Sequence, residues 1–229
     1  MIIMFGAEKG GVAKSRLSTN FAAYAASKGV KVVLLDTDRQ GSSGGFVDLR
    51  RADPSLVAFD FYALPVNPAK EIAEMAARYE LVVVDIGAQN YRTMLETAQL
   101  SDLIVVPCGA DQSEIDSTLN TAVAVRKVAP SVEAHVVLTR VPPGKTVAGP
   151  RGKEKTIEHR TAAEARAGLE SVGITVFKSS FPYREAWKAS GKTGRSVVEL
   201  KGKERSDKAA KELEDFYKEV VALLSKKGA

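Results

Sequence analysis

The chain has 229 residues, 45% hydrophobic and 27% charged, with 33 Lys and Arg against 28 Asp and Glu for a net charge of +5. That balance supports a buried core, excludes wholesale disorder and leans mildly toward polyanionic partners, and no apolar run reaches the roughly 18 residues of a membrane span. The lone cysteine, Cys108, excludes a disulfide framework or a Cys-based metal site within the chain, and His135 and His159 stand far apart without metal-ligand spacing.

An apolar strand at 2–5 leads into a glycine-bearing loop at 6–15 and a helical pattern over about 15–28, which Gly29 ends. With a strand opening the chain in place of a secretory leader, a cytoplasmic protein is expected. Residues 31–36 form a continuously apolar strand, as expected where both faces of a parallel sheet are covered. Between 44 and 67, Gly44-Gly45 and Asp53-Pro54 act as breakers; Arg50, Arg51 and Asp53 read as solvated, and only a short strand within 57–64 is expected. Ile72, Met75, Ala76 and Tyr79 give a helix over 68–79, followed by the strongest buried strand, 81–87. A helix over 91–100, a strand over 103–107, a helix over 113–128 and a strand over 134–139 come next; Cys108 reads as a small packed residue and His135 as a structural one.

From 141 to 160, Pro142-Pro143-Gly144 and Gly149-Pro150 argue against regular structure, and Lys145, Arg151, Lys153, Lys155 and Arg160 outnumber Glu154 and Glu158. A helix over 161–172 and a strand over 174–177 follow. Ser206 is a good N-cap for a last helix over about 206–226, whose stripe is Ala209, Leu213, Phe216, Val220 and Leu224. Strand and helix alternate, which predicts an α/β fold: a doubly wound, mainly parallel sheet with helices on both faces. Without a repeat or linker, one domain over 1–229 is expected.

Three stretches carry chemistry. The first is K-G-G-x-x-K-[ST] at 9–15, which departs from G-x-x-x-x-G-K-[ST] because Glu8 and Ala13 stand where glycines would be required. Gly10 and Gly11 let backbone amides approach an anion, the following helix offers its unpaired N–H groups, Lys14 adds a charge, and the Ser15 hydroxyl suits Mg²⁺. The second is Asp36 and Asp38 at the C-terminal end of a strand, where α/β sheets place their sites. The third is Asp85, which closes the apolar strand at 81–85. Read alone, these are a glycine turn with lysines nearby, two acidic loop residues and a helix-capping aspartate; together they form a phosphate and Mg²⁺ site.

The lysine-flanked loop resembles the deviant Walker A motif of the ParA/MinD ATPases. The resemblance extends to Asp36-Thr37-Asp38-Arg39-Gln40-Gly41-Ser42, close to the family's D-x-D-P-Q-G-S with Arg39 in place of proline, and to Asp85-Ile86-Gly87. It implies a P-loop NTPase-like fold that binds ATP and Mg²⁺ through Lys9, Gly10, Gly11, Val12, Ala13, Lys14, Ser15 and Arg16. By the same resemblance Lys14 holds the subunit's own phosphates, and Lys9 crosses to the partner's in an ATP-dependent homodimer. Ser15, Asp36 and Asp85 serve the metal, Asp38 orients the attacking water, and Gln40 sits in the switch segment. Arg140, Pro182 and Tyr183 are implied near the base, although Thr139-Arg140 matches only half of the family's Asn-Arg, and packing is an equal reading for Tyr183 and Trp187. Gly194-Arg195-Ser196-Val197 matches the family's G-x-S-V.

The family also binds DNA without sequence preference through basic residues of its C-terminal part. Lys188, Lys192, Arg195, Lys201 and Lys203, with Arg205, form such a run here or else an ordinary solvated face; binding through them would be steeply salt-dependent. The 141–160 stretch is a solvated loop, a nucleotide lid or a DNA surface. No helix-turn-helix precedes the loop, which argues against operator binding by this chain alone. The resemblance implies slow ATP hydrolysis stimulated by a ParB-like or other adaptor, serving segregation or positioning of DNA or another cargo. One alternative is a MinD-like membrane-surface ATPase anchored by the last helix, against which Glu212, Glu214, Asp215 and Glu219 make the polar face acidic. A weakly hydrolysing nucleotide-switch regulator is the other, allowed by Ala13, Arg16 and Arg39. A nitrogenase-type reductase would need cluster cysteines that one Cys cannot supply.

Overall fold

The apolar runs ending at Phe5, Asp36, Asp85 and Cys108 become β1 (Ile2–Phe5), β2 (Val32–Asp36), β4 (Leu81–Asp85) and β5 (Leu103–Cys108), every residue of which is buried. With β3 (Asp60–Ala63), β6 (Glu133–Val141) and β9 (Val176–Pro182) they form a seven-stranded sheet in the order β3-β2-β4-β1-β5-β6-β9. Every pairing in it is parallel. Parallel neighbours need crossovers, and six helices supply them: α1 (Lys14–Ser27), α2 (Ser42–Arg51), α3 (Ala69–Ala76), α4 (Tyr91–Thr97), α5 (Gln112–Val128) and α6 (Arg160–Ser171). Two more, α7 (Glu185–Thr193) and α8 (Asp207–Ser225), follow the last strand and contribute to the core. The computed structural model describes residues 1–38, 41–64, 68–148 and 154–226.

Alternation along the strands divides the core. Ile3 and Phe5 face Leu17, Phe21, Phe46, Trp187 and Phe216 of α1, α2, α7 and α8. Ile2 and Met4 face Ile72, Met94, Ala122 and Leu169 of α3 to α6. The doubly wound, parallel α/β fold expected from the sequence is therefore what forms. The stripe of α8 is buried on the sheet, with Phe216 in edge contact with Phe21, Phe177 and Phe181. Ser206 caps α8 by accepting from the Ala209 N–H at 3.3 Å. Across the exposed edge, Glu219 accepts from the N–H groups of Lys178 and Ser179 at 2.7 and 3.0 Å, which covers β9 as a pairing edge. Among the described residues no helix is long and apolar enough to cross a membrane.

Four expectations need correction. Gly44 and Gly45 do not break the chain: they lie within α2, where burial of Phe46 and Val47 outweighs a glycine cost of about 1 kcal/mol each. Arg50 and Asp53 are not simply solvated, since Arg50 is buried and Asp53 pairs with Arg195, while Arg51 is exposed. The 141–160 stretch is not irregular throughout: β7 (Lys145–Ala148) and β8 (Glu154–Ile157) pair antiparallel outside the main sheet. Pro142 and Pro143 fall before β7, so they do not interrupt its ladder. Helix α7 had no counterpart in the sequence pattern. Arg39 and Gln40 of the switch segment, and Gly149, Pro150, Arg151 and Lys153 of the basic stretch, lie outside the described residues.

Candidate functional site

The site forms where β1, β2 and β4 end together. Register places Asp36 directly beside Asp85, and Phe5 leads into the loop on the other side of β4. The loop is anchored from below: the Val12 carbonyl accepts from Thr139 Oγ1 at 3.1 Å, tying it to β6. Ala13 carries the left-handed φ of 72° at the start of α1, with no side chain capping the helix, so the first-turn N–H groups are left to a ligand. A cleft of about 470 Å³ is lined by Gly10, Gly11, Ala13, Lys14, Ser15, Arg16, Asp38, Ser42, Ala88, Gln89 and Arg140. A larger cleft of about 750 Å³ lies between the β7–β8 hairpin and α8 and contains no residue of the three motifs.

The charges are arranged in depth. Lys14 is buried, its Nζ donates to the Lys9 carbonyl at 2.9 Å, and burial pulls its ammonium below the ordinary value against the raising effect of Asp85 and Asp38. Asp36 accepts from the N–H of Asp38 at 2.8 Å and of Ser43 at 3.1 Å; burial nonetheless raises its pKa. Asp85 is fully buried and its carboxyl is pushed up to about 6, mainly by burial, with hydrogen bonding from Ser43 opposing. The Ser43 hydroxyl donates to Asp85 Oδ2, whereas Asp85 Oδ1 is buried without a hydrogen-bond partner among the described residues. Gly87 leaves room for Asp38, because a Cβ there would stand 2.9 Å from Asp38 Cβ and Cγ.

These residues fit a phosphate-bound Mg²⁺. The orphaned Asp85 oxygen and the Ser15 hydroxyl are hard ligands beside an amide-lined loop, and the described residues hold no cluster of three His, Cys, Asp or Glu that would bind a metal alone. Mg²⁺ is ordinarily held in this way, by one or two protein oxygens plus substrate phosphates and water.

Of the expected site residues, Gly10 to Arg16, Asp38 and Arg140 meet in or around the cleft, with Asp36 and Asp85 behind it. Lys9 turns away: its Nζ donates to Ser113 Oγ of α5 at 2.7 Å. Arg140 has a positive φ of 54° and pairs with Glu114, whose carboxylate also accepts from the Gly109 N–H at 2.7 Å. Pro182 and Tyr183 do not line the cleft; they stand one strand over, where the Tyr183 N–H donates to the Val141 carbonyl at 2.9 Å and its ring is exposed. Trp187 is buried against Phe181, a packing role. Lys188, Lys192, Lys203 and Arg205 surround a cleft of about 580 Å³ with Tyr183 on its rim. Lys201 is exposed near it, whereas Arg195 pairs with Asp53. The sequence reading missed Ser43 and Glu114. Ser43 could have been found as the second of two serines opening a helix just after the acidic strand end.

Residues 1–130 match the family model described as an AAA domain. No curated protein matches in sequence. Among solved structures, McdA from Cyanothece in complex with ATP aligns at 15% identity over 96% of each chain, with a TM-score of 0.68. MinD from Pyrococcus horikoshii complexed with Mg-ADP aligns at 15% identity over 96% of this chain and 95% of that one, with a TM-score of 0.69. A putative plasmid partition protein from Borrelia burgdorferi bound to AMPPNP aligns at 16% identity over 99% and 98%, with a TM-score of 0.66. The model match with the lysine-flanked loop, and the shared fold, bear out the ParA/MinD resemblance: the chain belongs to the AAA domain family and has the fold of the ParA/MinD ATPases.

Proposed function

We propose that the chain is an Mg²⁺-dependent ATPase that dimerises on ATP, binds DNA without sequence preference in that state, and uses hydrolysis to segregate or position DNA or another cargo. The observation that carries the nucleotide half is the meeting of Lys14, Ser15, Asp38 and the orphaned Asp85 oxygen in one cleft at an uncapped helix N-terminus. The ATP, Mg-ADP and AMPPNP complexes of the similar folds support it.

In this reading Lys14 neutralises the chain's own phosphates and the loop amides cradle them. Mg²⁺, when bound through Ser15 and Asp85 with Asp36 behind, polarises the transferred phosphoryl group. Asp38, held by its N–H to Asp36 and given room by Gly87, orients the attacking water. Lys9 leaves Ser113 to reach a second copy's phosphates. Catalysis is then positioning and charge stabilisation, slow until an adaptor completes the site. The four cations around Tyr183 are the DNA-facing surface, with Lys201 beside them. Burial of the α8 stripe removes the apolar face that a membrane anchor would need.

DNA retardation with ATP, ADP or no nucleotide, at two salt concentrations and alongside Lys14→Ala, tests the proposal. Retardation only with ATP, lost in the variant and weakened sharply by salt, is expected. Retardation that ignores nucleotide, or none, sinks the DNA half.

A further inference from the structure

Helix α2 starts at the site and ends in the turn that follows α7. At its start the Ser43 hydroxyl donates to Asp85 and the Ser43 N–H to Asp36. At its end the buried Arg50 donates to both oxygens of Glu199, at 2.7 and 2.8 Å, to the Val57 carbonyl at 2.7 Å and to the Gly194 carbonyl at 3.1 Å. Glu199 also accepts from the Ser196 N–H at 2.8 Å. Gly194, with φ 67°, lets the two backbones touch, since a Cβ there would stand 2.3 Å from the Arg50 nitrogen.

Helix α1, which carries Lys14 and Ser15, is latched to the same segment. The fully buried Asn20 accepts from the Val197 N–H at 2.8 Å and donates to Ser190 Oγ at 2.9 Å. Both helices that open at the phosphate site therefore grip residues 190–199 through buried polar side chains. Lys188, Lys201 and Lys203 flank that segment and Lys192 lies within it. A buried ion pair is weak evidence for stability, because apolar residues of similar volume fill the space as well. A two-pronged guanidinium–carboxylate contact adds a fixed register between the parts it joins.

We propose that Arg50 and Glu199 are positioning residues that lock the α7-to-Leu200 segment to α2, so that occupancy of the phosphate site sets the geometry of a polyanion-binding surface on that segment. The inference rests on the reading of the cleft as a nucleotide site.

Hydrogen exchange on the full chain, with and without AMPPNP and Mg²⁺, tests it in the unsubstituted protein, in Arg50→Met/Glu199→Met, and in Glu199→Gln as a gentler variant. The unsubstituted protein is expected to show nucleotide-induced slowing, several-fold, in both 9–16 and 188–203. In the double variant the slowing at 188–203 is lost while that at 9–16 persists; Glu199→Gln falls between. A pair with only a structural role would speed exchange regardless of nucleotide and leave the nucleotide-induced difference intact, which overturns the proposal. Slowing at 9–16 without any at 188–203 in the unsubstituted protein overturns the coupling alone. No slowing at either segment overturns the nucleotide reading and the coupling with it.

Discussion

Asp85 is kept in place at a cost to stability. Its ordinary value is 3.8 and folding raises it to about 6, chiefly through burial. Between those values the folded chain holds the proton more often than the unfolded chain, so stability falls as pH rises through the window and the loss is complete above it. The difference corresponds to about 3 kcal/mol. Urea unfolding of the nucleotide-free protein is therefore expected to weaken between about pH 4 and 6, and Asp85→Asn to flatten that fall, raise stability at about pH 7 and abolish ATP turnover. An unsubstituted protein with no such fall contradicts the assignment. Ala13 carries a second local cost, because a left-handed φ of 72° strains any residue with a Cβ. Ala13→Gly is expected to gain about 0.5–1 kcal/mol, read from the denaturation midpoint, since relief of the strain exceeds the entropy glycine adds to the unfolded chain.

At the scale of elements, the site depends on where strand ends and helix starts are held relative to one another. Gly87 follows β4 and touches Asp38, which follows β2, so one methyl displaces the carboxylate to which we assign the attacking water, and Asp38 supplies the nearest atoms it would meet. Gly87→Ala is expected to lower ATP turnover roughly tenfold or more while nucleotide affinity, measured by fluorescent-analogue titration, stays near that of the unsubstituted protein. Equal loss of affinity and turnover would show that Gly87 supports the loop instead. The same scale separates legible from illegible elements. Strands such as Leu81–Asp85 announced themselves because burial on both faces leaves a continuous apolar run. Helix α2 did not, because its two glycines are bad local signals and its stability comes from Phe46, Val47 and Arg50 packing against distant segments. The β7–β8 hairpin was hidden among prolines and charges because it lies apart from the sheet and needs no apolar alternation.

For the whole molecule, the ion pair between α2 and the turn after α7 joins residues 149 apart in sequence. Arg50→Ala leaves Glu199 uncompensated and is expected to cost about 3–5 kcal/mol, whereas Arg50→Met/Glu199→Met leaves no unpaired charge, only the Val57, Gly194 and Ser196 backbone groups to be re-satisfied, and is expected to cost less. Calorimetric melting of both variants checks this; a double variant as unstable as the single one would make the pair a stability element. The sheet order explains why the site gathers as it does. β1, β2 and β4 are central neighbours, so three motifs separated in sequence end on one rim.

The sequence by itself determined the fold class and picked out the glycine loop and the strand-end acids that the fold brings to one rim, because glycine, lysine and strand-end carboxylates act through local backbone geometry and through apolar runs that any parallel sheet must bury. Tertiary structure alone decided which charges are available. Arg195 and Arg50 belong to the same basic count as Lys192 and Lys203, yet half-buried carboxylates claim the first two and leave these lysines at the surface. It also decided that Lys9 rests on Ser113 and that the α8 stripe faces the sheet. Such outcomes depend on partners far apart in the chain, and a charge carries no mark in its own sequence of the partner that folding will bring to it.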